Sequence, residues 1–181
     1  KKEWNDIVRR GVQIFLLGFL LNLCRYTIPD LIGYAISGDR DMFLSSIIYQ
    51  TFNNDIFQLA GLVLITIGIF IKLGLSDVSM ILIALLCSVV GTKLNGTDTG
   101  NMVSNIILGY FIGTEDAAGQ MMSYFVYMNW LIMPVSGYVF GKRLRRIKDK
   151  ALFYRIASTA CFLVTLPYFL IKINSRQGMF G

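Results

Sequence analysis

Long apolar runs dominate this sequence and decide what it can fold into. A helix needs roughly 20 apolar residues to cross the hydrocarbon core of a bilayer, and fewer where basic side chains reach the headgroups. Five runs come close to this length: residues 7–24, 56–71, 78–92, 121–141 and 151–173. With 55% hydrophobic and only 15% charged residues, the chain is unsuited to a water-soluble fold. We therefore predict an all-α, polytopic helical membrane protein with about five transmembrane helices.

A basic block between the last two runs predicts the orientation of the chain. Residues 142–150 hold six of its 17 lysines and arginines. Short loops rich in these residues stay on the cytoplasmic side of a membrane. We therefore expect the loop 142–150 to be cytoplasmic, together with the N-terminal stretch that carries Arg9 and Arg10. Five crossings then place residues 26–55 and 93–120 on the outer side.

Two shorter stretches are predicted to be helices that do not cross. Residues 102–113 are too few for a span, and a sixth crossing here would put the two basic clusters on opposite sides. We predict an interfacial or re-entrant helix instead. Residues 42–52 carry an apolar stripe at helical spacing that suits a helix lying flat on the outer surface. Residues 1–181 are expected to form a single transmembrane domain, an incomplete part of a larger one.

Polar side chains within the apolar runs are the candidates for function, because burying them in lipid costs free energy. Asp55 also suits the N-cap of the second helix, where a carboxylate is favoured, so both interpretations stay open. Pro134 permits a kink in the fourth run. Glycines four residues apart, at 109 and 113 and at 137 and 141, indicate close helix packing. The substrate-lining candidates are Asn22, Asp55, Gln58, Asn129 and Trp130.

The sequence lacks the usual groups for proton transfer and metal binding. It contains no histidine, the side chain whose ordinary pKa suits proton transfer near neutral pH. We find no serine or cysteine nucleophile beside a base, so the catalytic residue of any enzyme built from this chain is unknown. Cys24, Cys87 and Cys161 have no zinc-site spacing, and we predict them to be buried, reduced and structural, with no metal bound. The basic residues gather at the ends of apolar runs, which favours lipid contact over nucleic acid.

Three motifs follow one another along the chain. Residues 9–22 read RRGVQIFLLGFLLN, residues 54–62 read NDIFQLAGL, and residues 124–141 contain YFVYMNWLIMP followed by SGYVFG. They resemble, in the same order, the RRG…FLLG…LN run, the DILQxxGL helix start and the PW…GYxxG segment of the membrane acyltransferase-3 superfamily. This superfamily includes the relatives of heparan-alpha-glucosaminide N-acetyltransferase. The chain departs from the third motif at Tyr127 and Asn129, where the family commonly has prolines.

The resemblance implies an enzyme of about ten spans. Such an enzyme transfers an acyl group from cytoplasmic acyl-CoA to a carbohydrate, lipid-linked or other cell-envelope acceptor on the outer side. The family's proton-transfer histidine lies in N-terminal helices that this chain does not contain, and the membrane is expected to be the inner (plasma) membrane of a bacterium. Basic groups on the cytoplasmic side can pair with coenzyme A phosphates, although anchoring to lipid phosphates explains the same charges. The cofactor-binding candidates are Arg9, Arg10, Lys142, Arg143, Arg145 and Arg146.

Two other functions fit the same sequence. Asparagine, aspartate and glutamine within apolar runs, with prolines at 134 and 167, also suit a membrane transporter or flippase. The absence of a catalytic base suits a non-catalytic membrane assembly subunit. Flux across a membrane without acyl-CoA, or acyl transfer by the protein, separates these hypotheses.

Overall fold

The computed structural model describes residues 3–44, 47–115 and 123–177, with the side chains at 164 and 168–177 outside the description. Every regular element in these ranges is helical, which confirms the predicted all-α class. In chain order they are α1 (Glu3–Asn22), a π-helical turn (Leu23–Thr27), α2 (Ile28–Ser37), α3 (Arg40–Leu44), α4 (Ile47–Thr51), α5 (Ile56–Lys72), α6 (Asp77–Leu94), α7 (Met102–Ile112), α8 (Tyr127–Trp130), α9 (Ile132–Leu144) and α10 (Lys150–Gln177).

The chain divides into two compact units, Lys1–Tyr138 and Val139–Gly181. The first contains α1 to α8 and the start of α9, and its core includes Val63, Met80, Ala84 and Leu131. The second contains the end of α9 and α10, where the rings of Phe140 and Phe153 lie 5.5 Å apart. That the whole chain forms one transmembrane domain stays a prediction.

Two helical stretches in the described part of the chain are long and apolar enough to cross a membrane by length and composition. They are Glu3–Ser37, with 35 residues, and Asp77–Leu94, with 18. Helix α5 is apolar but has 17 residues, and α7 has 11. At 1.5 Å per residue, α7 is only about 16 Å long, roughly half of a bilayer core. These helices are consistent with a membrane protein, while the count of five crossings stays a prediction.

The first helical stretch does not end where the sequence placed its end. We predicted a span over residues 7–24, but the helix continues through the π turn and α2 to Ser37. Pro29 has no N–H to donate to the carbonyl four residues back, and its ring needs room there. The α-helical hydrogen-bond pattern changes here to a π turn, in which the Ile28 N–H donates to the Leu23 carbonyl five residues back.

The fourth apolar run is not one continuous helix. We predicted a span over residues 121–141, but helix begins only at Tyr127, with a break at Leu131 between α8 and α9. Residues 121 and 122 lie outside the described ranges. Ser123 forms an isolated bridge with Asn54, and the Phe125 N–H donates to the Asn54 carbonyl at 3.3 Å. These contacts hold the segment before Tyr127 out of the helix.

Two smaller predictions also change. The apolar stripe at 42–52 contains the end of α3 and all of α4, with residues 45 and 46 outside the described ranges. The three cysteines are free. Cys24 and Cys161 are exposed, so the prediction that they are buried was wrong, and Cys87 is half-buried. Their helices present them on faces that the described residues do not cover.

Helices α1 and α5 form the closest helix pair in the first unit, and glycines make this possible. A Cβ added at Gly11 would lie 2.8 Å from the Gly61 carbonyl oxygen, and one at Gly61 would lie 2.7 Å from the Gly11 carbonyl oxygen. A Cβ at Gly68 would meet Val8 at 2.6 Å. Early residues of α1 therefore face late residues of α5, so the two helices run antiparallel. We call the two ends of this pair the Asp55 end and the Lys72 end.

Candidate functional site

The Asp55 end holds a group of polar side chains, buried except for the half-buried Asn53, which we call the polar cluster: Asn22, Asn53, Asn54, Gln58 and Ser123. Asn22, the last residue of α1, is only 4% exposed. Its Nδ2 donates to the carbonyls of Thr51, at 3.2 Å, and Asn53, at 2.9 Å. Asn22, one of the predicted substrate-lining residues, thus holds the segment before α5 against the end of α1.

A second contact fixes the same chain one turn further on. The hydroxyls of Thr27 and Thr51 lie 2.6 Å apart. Thr51 already donates its one hydroxyl proton to the Ile47 carbonyl at 2.6 Å. Thr27 must therefore be the donor in the pair, since each hydroxyl has a single proton to give. The π turn that carries Thr27 is thereby tied to α4.

Asp55 and Gln58 form a capping box at the start of α5. An Asp55 carboxylate oxygen accepts the Ile56 N–H at 2.7 Å, and the Gln58 side-chain oxygen accepts the Asp55 N–H at 3.1 Å. Both interactions satisfy backbone donors that the first helical turn leaves unpaired. The structure therefore shows Asp55 as a helix cap, and its predicted role in lining a substrate site stays a prediction.

Gln58 is fully buried, and Gly18 of α1 provides the space for it. A Cβ added at Gly18 would lie 2.6 Å from Gln58 Cδ and 2.9 Å from its Nε2. The Nε2 group has no hydrogen-bond partner within the described residues. Gln58 therefore places an amide donor in the helix interface that pairs with none of the described residues.

Asn54 is fully buried as well and joins three segments. Its Nδ2 donates to the Phe125 carbonyl at 2.6 Å and to the Tyr110 carbonyl at 3.4 Å, while its Oδ1 has no partner among the described residues. Two further atoms of the polar cluster, Asn53 Oδ1 and Ser123 Oγ, are likewise buried and unpaired there. A buried polar atom without a partner costs about 1–3 kcal/mol, so such atoms suit a water molecule or a polar ligand.

Asn129 and Trp130 do not join the polar cluster directly. The Asn129 carbonyl accepts a hydrogen bond from the Ser88 hydroxyl at 3.4 Å, and its Oδ1, buried and unpaired in the described part, lies beside Gly91 of α6. Trp130 is 43% exposed, with its ring 5.6 Å from that of Phe125. Of the five substrate-lining candidates, the structure thus brings Asn22, Asp55 and Gln58 together and places the other two apart.

Another polar contact lies between α5 and α8. The hydroxyls of Thr66 and Tyr127 are 2.5 Å apart. Thr66 donates its proton to the Leu62 carbonyl at 2.9 Å, so Tyr127 is the donor to Thr66. The Tyr127 side chain thus connects α8 to α5.

An open apolar cavity of about 520 Å³ lies beside the polar cluster. Residues of α1, α4, α5 and α7, with Phe52, form its walls. We call it the aromatic groove; its walls include Phe15, Phe19, Phe52, Val103, Ile106 and Tyr110. The Tyr110 hydroxyl donates to the Phe52 carbonyl at 2.7 Å, so this tyrosine joins two walls of the groove.

The loop between α6 and α7 is organised by its own polar contacts. Asp98 accepts hydrogen bonds from Asn105 Nδ2 and from the Gly100 N–H, both at 2.8 Å. These bonds, the first of them above all, lower the pKa of the Asp98 carboxyl. Thr114, also buried, donates its hydroxyl to the Asn105 carbonyl at 2.5 Å. This loop closes on the end of α7 through the bridge between Thr97 and Thr114.

The predicted cofactor-binding residues belong to different units. Arg9 and Arg10 are exposed on α1, in the first unit. Lys142, Arg143, Arg145 and Arg146 belong to the second, in the last turn of α9 and just beyond it. A coenzyme A site that uses either set stays a prediction. No group of three or more histidine, cysteine, aspartate or glutamate residues that could hold a metal occurs in the described ranges.

Several residues of the site were not apparent from the sequence. Ser123 and Tyr110 lie in or beside stretches that look apolar, and nothing in their spacing relates them to Asn54. Asn54 begins the second motif but is not among the substrate-lining candidates that the sequence predicts. Comparisons of the chain with protein-family models, with curated proteins and with solved structures found no match.

Proposed function

We propose that this chain is the central part of a membrane acyltransferase. It would transfer an acyl group from cytoplasmic acyl-CoA to a carbohydrate, lipid-linked or other cell-envelope acceptor on the outer side. The proposal rests on the ordered likeness of residues 9–22, 54–62 and 124–141 to motifs of the membrane acyltransferase-3 superfamily. The same proposal includes a domain of about ten helices, five membrane crossings within this part of it, and a location in the bacterial plasma membrane.

One structural observation carries the proposal furthest. Segments from all three motifs meet at the Asp55 end. Gly18 of the first lies against Gln58 of the second, and Asn54 of the second donates a hydrogen bond to the Phe125 carbonyl of the third, 71 positions away. The meeting of the three motifs in one region supports the proposal that they serve one site.

The chemistry of the polar cluster suits binding and orientation of an acceptor. Its unpaired atoms in the described part include a donor, Gln58 Nε2, an acceptor, Asn54 Oδ1, and a hydroxyl, Ser123 Oγ. Donors and acceptors of this kind match the hydroxyl and amino groups of a carbohydrate. Amides do not move protons at neutral pH, so these residues would position the acceptor while a base outside this chain accepts its proton.

The proposed orientation puts donor and acceptor on opposite ends of the helix pair. With residues 142–150 and the start of α1 on the cytoplasmic side, the Lys72 end faces inward and the Asp55 end faces outward. Arg9, Arg10 and the basic residues of 142–150 are then on the side from which acyl-CoA arrives. Their charges would pair with its phosphates, or with phosphates of inner-leaflet lipids.

The experiment is acyl transfer by the intact protein that contains this chain, reconstituted in liposomes. Acetyl-CoA and longer acyl-CoA thioesters are supplied on one side, and release of free coenzyme A and acylation of added glycosides are measured. We expect release that depends on the acceptor, with a large loss in Gln58→Leu. Flux of glycoside across the liposome without acyl-CoA would favour the transporter, and neither activity would favour the assembly subunit.

A further inference from the structure

One side of α1 changes from polar to apolar halfway along the helix. Exposed polar residues recur there at helical spacing over the first half, and we call them the arginine face: Asn5, Asp6, Arg9, Arg10 and Gln13. The same side continues with Leu16, 59% exposed, and Leu20, 55% exposed. At about 100° per residue, Gln13 lies about 200° around the helix from Gly11, which packs on α5. The arginine face is therefore turned away from α5.

Two other helices of the first unit are apolar from the Lys72 end onward. Gly11 packs against Ile65, near the middle of α5, and α5 carries no charged residue before Lys72. Helix α6 follows after a short turn, and Val78 in its first turn is already 60% exposed. In α1, by contrast, the side turned away from α5 becomes apolar only after Gln13.

The Lys72 end gives a measure of how deep the arginine face reaches. The Lys72 ammonium lies 4.6 Å from the centre of the Trp4 ring, and both residue types are common where a membrane meets water. Gln13 lies nine positions after Trp4 in α1, which is about 14 Å along the helix. The hydrocarbon core of a membrane is about 30 Å thick, so Gln13 would lie nearly halfway across it. Arginine side chains can reach back toward the headgroups, but glutamine is too short to do so.

Water is a more suitable neighbour for the arginine face than lipid, because polar groups exposed to hydrocarbon cost free energy. Arg9 and Arg10 also give this face the planar donor groups that pair well with phosphate. Asp6 lies one turn nearer the Lys72 end, so the positive charge belongs to the deeper part of the face.

We propose that the arginine face lines a water-filled crevice that opens at the Lys72 end, reaches Gln13 and binds the phosphate groups of a solute from the aqueous phase. The inference rests on the proposed function for the membrane around α1 and for the cytoplasmic side of the opening. On that function, the crevice is the route by which the phosphates of acyl-CoA enter below the level of the lipid headgroups.

The reactivity of an introduced thiol tests the crevice without requiring activity. Gln13→Cys is placed in the intact protein, with its other cysteines replaced by alanine, in phosphatidylcholine liposomes. Membrane-impermeant methanethiosulfonates are added on either side, and each rate is divided by the rate with a free thiol. We expect reaction from the side of the Lys72 end, faster with the anionic sulfonatoethyl reagent than with the cationic trimethylammonium reagent. Arg10→Gln should reduce this preference about threefold, as expected for one charge at about 6 Å in salt solution.

Two neighbouring positions provide matched controls. Val12→Cys lies at the same depth and is 42% exposed, but it is on the flank of the helix. Leu20→Cys lies on the same side as Gln13, two turns deeper. Neither should react. Equal reaction of Val12→Cys and Gln13→Cys would show that this part of α1 stands in bulk water. No reaction of Gln13→Cys from either side would show that protein or lipid covers it. Each of these results would overturn the inference.

Inorganic pyrophosphate identifies the source of the phosphate. Added pyrophosphate should slow the reaction of Gln13→Cys with the anionic reagent, and Arg10→Gln should weaken this protection. If pyrophosphate has no effect, but replacing part of the phosphatidylcholine by phosphatidylglycerol slows the reaction, lipid headgroups occupy the crevice and the solute site is refuted.

Transfer assays separate this inference from the function on which it rests. Protection by coenzyme A as well as by pyrophosphate would support the crevice as the donor route. Protection by pyrophosphate without acyl transfer to any acceptor would refute the acyltransferase and leave a phosphate site. Acyl transfer by a protein whose Gln13→Cys variant is unreactive from both sides would keep the function and overturn the crevice.

Discussion

Two pairs of glycines in this molecule differ in how closely other atoms surround them. Gly11 and Gly61 lie where α1 and α5 touch, and a Cβ at either would come within 2.8 Å of the other helix's backbone. Gly137 and Gly141 of α9 would each accept a Cβ without meeting any described atom within 4 Å. The second pair fits the familiar small-xxx-small spacing, and the first does not. Close packing here is therefore decided by which faces meet and not by the spacing pattern alone.

The spacing that does correspond to packing is seven residues. Gly11 and Gly18 on α1, and Gly61 and Gly68 on α5, are each two helical turns apart and so lie on one face. Glycines at this repeat let the two helices approach closely over about three turns, from Gly68 against Val8 to Gly18 against Gln58. The comparison predicts a steep gradient of mutational cost, from the backbone contacts of α1 and α5 to the open face of α9.

Gly61→Ala should have the largest effect. Its Cβ would meet the Gly11 carbonyl oxygen, the Phe15 N and the Phe15 Cβ, all at 2.7 Å. These atoms belong to the helix backbone or are fixed to it, so they cannot retreat without moving α1. We expect a loss of about 3 kcal/mol in the free energy of unfolding. Unfolding by denaturant in detergent micelles measures it, and a loss below about 1 kcal/mol would contradict the backbone contact.

Gly18→Ala should cost less, because its neighbour is a side chain. The new Cβ would meet Gln58 Cδ at 2.6 Å, and Gln58 can leave only by giving up its hydrogen bond to the Asp55 N–H. We expect a loss of about 2 kcal/mol. A double-mutant cycle with Gln58→Ala checks the cause, since removing the glutamine removes the clash. The two losses should not add, and additive losses would mean that Gln58 is not the group displaced.

The start of α5 allows a third, smaller test of the Asp55 end. Asp55→Ala removes the oxygen that accepts the Ile56 N–H, and we expect a loss of about 1 kcal/mol. Asp55→Ser keeps a capping oxygen and should recover most of that loss. If Asp55→Ser retains stability but abolishes acyl transfer, the carboxylate has a role beyond the cap. If both variants keep transfer in proportion to their folded fraction, Asp55 only caps the helix.

The sequence predicted the helical class well, because apolar runs interrupted by charged residues leave few alternatives. It did not predict where helices end. We predicted that the first span ends at residue 24, yet a π turn carries the helix on past Pro29. The fourth run is interrupted by hydrogen bonds to Asn54, which is remote in sequence. Ends that depend on such distant partners cannot be read from local pattern.

The candidate site was predicted only in part, because contacts between residues distant in sequence complete it. Asn22, Asp55 and Gln58 were chosen because polar residues stand out among apolar neighbours, and the structure brings them together. Ser123 and Tyr110 complete the site through tertiary contacts alone. The glycine contact at Gly18 also follows from the antiparallel pairing of α1 with α5, which no single helix encodes.

Gly137→Ala should have the smallest effect and the opposite sign. Gly137 is exposed in α9, and its added Cβ would meet no described atom within 4 Å. Alanine is favoured over glycine within a helix by up to about 1 kcal/mol, so the variant should unfold with a slightly higher free energy. Gly141→Ala is the companion variant, with the same expectation. A different result would be a loss of unfolding free energy as large as that of Gly61→Ala, seen in the membrane but not in detergent. That result would mean that another helix packs on this face of α9 in the membrane. The contrast between the two pairs of glycines would then hold only in detergent.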